Sequence, residues 1–283
     1  MSKSGQVFRA GAGHCSSFEV VNAYQQLLNA TVDHLEHERD RGQRRVNVDS
    51  AKLHALFQPL AETSNETAEI SNTPSMEANS STLTELNEQA MGCARCPHLV
   101  ASRKQVVFGV GDENADLMFV GEAPGTDEDA QGEPFVGKAG QLLTKIIQTM
   151  GLSRDEVYIA NILKCRPDTP RQSSGNRPPT GEEMNTCSPW LHRQIDLIKP
   201  KLIIALGKTA VEGLLEQQVA ITRFRGTWQT YRGIPLMPTF HPAYLLHQQS
   251  PTSKRKLWED MLAVMEKVGL SITEKQRGFF LSR

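Results

Sequence analysis

Apolar and polar positions divide the chain into two unequal parts. In the first, Phe18 to about Arg41 carries Val20, Val21, Tyr24, Leu27, Leu28, Val32 and Leu35 at helical spacing. The stretch ends in the dense charge mixture HLEHERDRGQRR, the pattern of an exposed amphipathic helix. Ala51–Leu60 has room for a further helical turn. From Ala61 to Thr84, Ser, Thr, Asn and Glu take over and large apolar residues nearly vanish. Such a composition cannot bury enough surface to offset the entropy of ordering it. A disordered linker is expected there, with the domain boundary near residues 84–90.

Behind the linker, short apolar runs alternate with helical patterns. Val106–Val110 and Leu117–Val120 read as strands, Gln141–Met150 as a helix stopped by Gly151, and Val157–Leu163 as a strand. Gly181–Ile198 reads as a helix running into Pro200, and Leu202–Leu206 as a strand. Lys208–Glu216 is helical, Ile234–Thr239 strand-like, and Ser253–Val268 an amphipathic helix. Repeated strand–helix alternation predicts an α/β fold, a three-layer α/β/α domain with a central parallel sheet covered on both faces. The expected organisation is an N-terminal extension over 1–88, partly helical and partly low-complexity, the α/β domain over 89–270, and a C-terminal tail over 271–283.

Composition narrows the setting. With 283 residues and 39% hydrophobic content, the chain supports one normal core but not one spread over its whole length. No run approaches the roughly 18 apolar residues of a membrane span. No compact apolar segment with a small-residue cleavage site opens the sequence, so no membrane association and a cytoplasmic location are expected. Disulfides are rare in that compartment, which turns the five cysteines toward metal ligation or plain packing. The formal net charge of −1 hides an asymmetry. Residues 1–92 carry 7 Lys/Arg against 12 Asp/Glu, 93–198 carry 11 against 14, and 199–283 carry 13 against 6. A basic last third suits either a phosphate-backbone surface or an ordinary solvated face.

The densest chemistry lies at Leu117–Leu143, LMFVGEAPGTDEDAQGEPFVGKAGQLL. An apolar strand breaks into the turn Gly121-Glu122-Ala123-Pro124-Gly125, and the carboxylates Glu122, Asp127, Glu128 and Asp129 cluster there. Phe135 precedes a second glycine-bounded turn. Carboxylates at the carboxyl end of a strand occupy the usual ligand position of open α/β sheets, so the stretch reads as an active-site loop. Taken alone, the same carboxylates also suit a nucleotide hydrolase that holds Mg²⁺. His241, in TFHPAYLL, closes another strand and belongs at the same sheet edge, where it suits donating a hydrogen bond to developing negative charge. Asn161 lies on a strand near that edge. Its amide offers a donor and an acceptor together, as reading a nucleobase edge requires, and equally suits capping the next turn. Cys93-x-x-Cys96, Cys165 and Cys187 suit tetrahedral Zn²⁺ or an iron–sulfur cluster, although a zinc ribbon would bring a second CxxC. A chance CxxC with two buried core cysteines is the alternative, and Cys15 has no local partner.

Taken together, GEAPGTDED, PFVGKAGQLL, YIANILKCRP, GNRPP, ALGKTAVE and FHPAYLL, with the cysteine spacing, resemble the family 4 uracil-DNA glycosylases, the iron–sulfur type of their superfamily. The resemblance runs from about Cys93 to Val268 with every motif in chain order, and leaves residues 1–88 without a counterpart in compact family members. It implies an α/β/α fold and a structural [4Fe–4S] cluster held by Cys93, Cys96, Cys165 and Cys187. It also implies a monofunctional enzyme that flips deoxyuridine out of uracil-containing DNA and hydrolyses its N-glycosidic bond. By the same resemblance Gly121, Ala123, Pro124, Gly125 and Asn176 border the base pocket. Phe135 stacks on uracil, Asn161 bonds O4 and N3–H, and His241 stabilises charge on O2. Glu122 positions water and Glu128 walls the pocket near C5, two roles that are exchangeable at this stage.

Leu245 is the expected wedge into the base stack, with Tyr244 the alternative, and Lys254, Arg255 and Lys256 are candidate phosphate contacts. No lysine occupies a motif position suited to a Schiff base, so no strand-cleaving step is expected. Three departures stand out: a longer Cys165–Cys187 segment, His247 where the family often has Arg, and Ala123 where better-known glycosylases of the superfamily carry a catalytic Asp. The last is itself characteristic of the family. The alternative reading is a non-catalytic iron–sulfur DNA-binding module of the same fold, which the intact Glu122, Asn161 and His241 argue against. A monomer is expected, with the N-terminal extension as a candidate docking segment for a protein partner.

Overall fold

A computed structural model describes residues 81–167 and 176–281. Every described residue belongs to one unit, Pro74–Arg283. The helices expected at Phe18–Arg41 and Ala51–Leu60, the linker up to residue 80, Cys15 and residues 168–175 lie outside the described residues.

Six strands form one sheet in the order β1-β3-β2-β4-β6-β5: β1 Val110–Gly111, β2 Leu117–Gly121, β3 Tyr158–Asn161, β4 Leu202–Leu206, β5 Gln229–Tyr231 and β6 Ile234–Thr239. The four inner strands are parallel, as the alternation of strands and helices implies. Both edges run antiparallel, β1 along β3 and β5 along β6. Strand β5 has no apolar run to announce it. It exists because Arg232 and Gly233 both take positive φ (47° and 86°), the two-residue turn whose twist suits a hairpin. Val106–Phe108 is buried as expected but stays outside the sheet. Its Val107 N–H instead donates to the Lys164 carbonyl at 2.7 Å.

The described helices are α1 Leu83–Met91, α2 Pro97–Ser102, α3 Thr126–Gln131, α4 Lys138–Thr149, α5 Gly181–Ile198, α6 Lys208–Leu215, α7 Ile221–Phe224, α8 Pro242–His247, α9 Pro251–Val268 and α10 Glu274–Arg277. Alternate strand side chains point to opposite faces. Met118, Val120, Ile203 and Ala205 pack with residues of α1, α5 and α6, while Leu117, Phe119, Ile204 and Met237 pack with α4 and α9. This is the three-layer α/β/α arrangement. Helix α1 falls where composition suggested only linker and boundary. A capping box closes its start, Thr82 against Glu85, and Leu83, Leu86 and Ala90 bury one face. The C-terminal segment is tied down as well: Trp258 Nε1 donates to the Gln276 carbonyl (2.6 Å) and Gln276 Nε2 to that of Thr149 (2.7 Å). No helix among the described residues is long and apolar enough to cross a membrane.

The strand order fixes where a ligand belongs. From β2 the chain passes to β3 on one side, and from β4 it passes to β6 on the other. The two connections diverge, so a crevice opens at the carboxyl ends of β2 and β4.

Candidate active site

Four segments meet at this edge: Gly121 and Glu122 leaving β2, Asn161 ending β3, Gly207 to Thr209 after β4, and His241 after β6. Across the crevice Thr209 Oγ1 donates to Glu122 Oε2 at 2.5 Å, and among the described residues no donor reaches Glu122 Oε1. One carboxylate oxygen is anchored and the other stays available. Thr209 was not singled out from sequence, yet its place just past a glycine-terminated strand was a usable signal.

Gly121 stands beside Asn161 in the β2–β3 register. A Cβ at Gly121 would lie 2.4 Å from Asn161 Oδ1 and 2.4 Å from Phe135 Cζ, so only glycine lets the amide and the ring approach across this point. Asn161 is 2% exposed and its Oδ1 has no hydrogen-bond partner among the described residues. A buried acceptor left unpaired costs about 1–3 kcal/mol, a penalty that a ligand N–H would remove. The Phe135 ring lies 5.6 Å from that of His241, tilted by 31°. The three side chains therefore border one slot.

His241 caps α8, and its Nδ1 accepts the Ala243 N–H at 3.1 Å. That bond places the ring proton on Nε2, which is left as a donor. Burial pushes the His241 pKa down to about 4, against an upward pull from Glu128, so the ring is neutral at ordinary pH.

The two glutamates, exchangeable from sequence, have different surroundings. Glu128 Oε2 accepts the Gly125 N–H, and its Oε1 accepts those of Val136 and Gly137, each at 3.0 Å. It clamps the two glycine turns together and caps α3, which folds part of the expected loop into a helical turn. Asn176 borders the same turn: its Nδ2 lies 3.3 Å from where a Cβ on Gly125 would sit, and its Oδ1 accepts from Arg166 Nε at 3.3 Å. Asp129 is buried and accepts the Lys104 N–H at 2.9 Å. The carboxylates are thus held by separate donors, and among the described residues no three His, Cys, Asp or Glu side chains converge on a single ion. Glu128 and Asp129 thereby turn toward backbone amides of different segments.

The cysteines gather on the α1/α5 side of the sheet. Cys93 follows α1, Cys96 caps α2, Cys165 follows β3, and Cys187 lies within α5. All four are free thiols. Arg103 binds two of them in place, with NH1 donating to Cys165 Sγ (2.9 Å) and NH2 to the Cys93 carbonyl (2.8 Å), and Lys164 N–H donates to Cys187 Sγ at 3.2 Å. Burial raises the pKa of Cys96, Cys165 and Cys187, the last to about 12, and charge on the neighbouring cysteines adds to each shift. Four thiolates would therefore need a bound cation to coexist here. Tetrahedral Zn²⁺ would draw the sulfurs to about 3.8 Å from one another, given Zn–S of about 2.3 Å. Each of Cys96, Cys165 and Cys187 feels the charge of other cysteines of the set, so the thiols share one locality. Each thiolate of a four-iron cluster binds a different iron, and four cysteines from four segments match that ligand number.

The residues expected at the DNA surface have unlike surroundings. Leu245 is 5% exposed and packs with α4 and α9, whereas Tyr244 and Leu246 are 39% and 36% exposed on either side of it. In a helix, adjacent positions face different ways, so here Tyr244 and Leu246 are presented to solvent and Leu245 is not. Tyr244 is braced by Phe240, with ring centroids 4.6 Å apart. Arg255 is not presented to an external phosphate: its Nε donates to Glu259 (2.8 Å) and its NH1 to the carbonyls of Arg277 (2.8 Å) and Phe279 (2.9 Å). Lys254 is half-buried and Lys256 exposed.

Residues 108–262 match the family model described as the uracil DNA glycosylase superfamily. The type-4 uracil-DNA glycosylase of Thermotoga maritima is 42% identical over 180 residues, covering 62% of this chain and 89% of its own. That of Sulfurisphaera tokodaii is 40% identical over 203 residues (69% and 87%), and that of Archaeoglobus fulgidus 36% identical over 206 residues (70% and 97%).

Proposed function

Because the chain belongs to the uracil-DNA glycosylase superfamily, in its type-4 family, we propose that it hydrolyses the N-glycosidic bond of deoxyuridine in DNA, releasing uracil and leaving an abasic site. The observation that carries the reading is the buried, unpartnered Oδ1 of Asn161 between Gly121 and Phe135. Uracil N3–H supplies the missing donor, and the amide Nδ2 donates to O4. Cytosine reverses both groups and leaves buried atoms unpaired. Phe135 stacks on the extruded base and offsets part of the unstacking cost, roughly a few kcal/mol.

Bond cleavage leaves positive charge on the deoxyribose and negative charge on uracil. His241 Nε2–H donates to O2, stabilising the anion without giving up a formal charge. Glu122 orients a water through Oε1 and stabilises the cationic sugar, with Thr209 fixing the carboxylate. The water oxygen bonds C1′ as the C1′–N1 bond breaks; one of its protons passes to Glu122 and through solvent to the uracil anion, and the other stays on the new C1′ hydroxyl. Glu128 acts by shaping the pocket. Tyr244 and Leu246 are the candidates to fill the gap in the stack, with Lys254 beside them for phosphate. When bound, a [4Fe–4S] cluster on Cys93, Cys96, Cys165 and Cys187 tethers α1, α2, α5 and the segment after β3, and no step of the hydrolysis runs through it.

The test is purified protein on single- and double-stranded oligonucleotides carrying one uracil, followed by alkali to break abasic sites. Strand breaks at the uracil position, unaffected by excess EDTA, are expected; none from either substrate by iron-loaded protein would refute the proposal. The His241 environment adds a pH expectation. A folded pKa near 4 keeps the Nε2–H donor neutral at every pH above about 5, so the single-turnover rate should show no step at the ordinary histidine value. A rate that falls tenfold per unit as pH drops below about 6.5 would mean the ring titrates normally.

A further inference from the structure

We infer that Arg154 is the positioning residue of the stacking platform, setting the backbone conformation that turns Phe135 into the base pocket. The inference rests on the glycosylase reading. Arg154 opens the short 3₁₀ turn Arg154–Glu156 before β3 and approaches Phe135 from outside the slot. Its NH2 donates to the Pro134 carbonyl at 2.9 Å, and its NH1 to the Phe135 carbonyl at 3.2 Å and to Thr144 Oγ1 at 3.3 Å. Among the described residues it makes no ion pair. An arginine that spends its fork on neutral acceptors is acting through geometry.

The two carbonyls lie on either side of the Phe135 Cα. Rotation about φ swings the peptide that carries the Pro134 carbonyl, and rotation about ψ swings the one that carries the Phe135 carbonyl. A single rigid, planar guanidinium bonded to both therefore fixes both angles, which the point charge of a lysine does not do. Phe135 needs this, because its φ is 56°, in the left-handed region disfavoured for a residue with a Cβ. The rest of the local structure converges on the same peptides. Glu128 Oε1 accepts the Val136 N–H, so the peptide after Phe135 is held at both ends. Helix α4 comes so near that a Cβ on Gly140 would lie 1.8 Å from the Phe135 oxygen. Held in this way, the ring reaches Gly121 and the His241 face of the slot.

A residue acting through Phe135 should lose its effect when the ring is removed. The test is a double-mutant cycle of Arg154→Lys and Phe135→Ala, read by single-turnover uracil release, inhibition by free uracil and thermal melting. Arg154→Lys keeps the charge and is expected to fold with a melting temperature close to wild type. It should slow base release by about tenfold or more and weaken uracil inhibition. In the Phe135→Ala background the same substitution should change the rate by no more than about twofold. Equal losses in both backgrounds would assign Arg154 a general structural role and overturn the inference. Wild-type rate and wild-type uracil inhibition in Arg154→Lys would overturn it as well. A wild-type protein that releases no uracil removes both readings, whereas an active wild type with additive losses removes this one alone.

Discussion

Asn161→Asp is expected to slow uracil release by roughly 10³-fold and to erase most of the preference for uracil over cytosine, because a buried pocket discriminates most strongly through hydrogen bonds it leaves unmade. The wild-type amide presents one acceptor and one donor. The carboxylate that replaces it keeps the acceptor for N3–H but turns the donor facing O4 into a second acceptor. Two oxygens would then face each other at a residue that is 2% exposed. For cytosine the same change is favourable at one position, since its amino group finds an acceptor. Discrimination therefore collapses mainly through loss on uracil. Matched oligonucleotides carrying a single uracil or cytosine, under single-turnover conditions, give the ratio directly. A variant that keeps the wild-type ratio would show that the base edge is read elsewhere, and the unpaired Oδ1 of Asn161 would then need another explanation.

Much of this site was legible in the sequence because strand ends are legible. Glu122, Asn161 and His241 each follow an apolar run, and parallel strands bring their carboxyl ends to one edge whatever the intervening loops do. What stayed hidden depends on partners distant along the chain. The separate surroundings of Glu122 and Glu128 follow from which donors face them, Thr209 in one case and three loop amides in the other, and composition does not encode that pairing. Arg154 reads from sequence as one more exposed charge in a polar turn. Its contacts with Pro134 and Phe135 appear only once β3 lies beside β2. That Leu245 is buried while Tyr244 and Leu246 are exposed is a matter of helix phase, which six residues are too few to fix by periodicity. Helix α1 was missed for a different reason: its capping box and its Leu83/Leu86/Ala90 spacing were present, but the polar stretch in front of them dominated the window.

Cys187→Ser is expected to have the largest effect on stability. Cys187 sits in the middle of α5, 9% exposed, and α1 packs against that helix. Removing one of four ligands opens the tether that would join α1, α2, α5 and the segment after β3. The remaining thiols then return to a buried environment that raises the pKa of Cys96 and Cys165 and favours their neutral form. Loss of the visible iron–sulfur absorption and a fall in melting temperature on the order of 10 °C or more are expected, since a structural metal site contributes its binding energy to folding. Zinc in place of iron in protein purified without oxygen would overturn the cluster assignment. The same variant also tests whether the group is only a tether. Among the described residues Glu122, Asn161 and His241 make no hydrogen bond to the four sulfurs; Lys164 links the two sides, its Nζ donating to the Asn161 carbonyl and its N–H to Cys187 Sγ. The folded fraction of the variant, assayed well below its melting temperature, should therefore keep its base-release rate within about tenfold of wild type. A variant that melts like wild type yet releases no uracil would place the cysteines in the reaction itself, and the division between a catalytic strand edge and a separate structural flank would have to be abandoned.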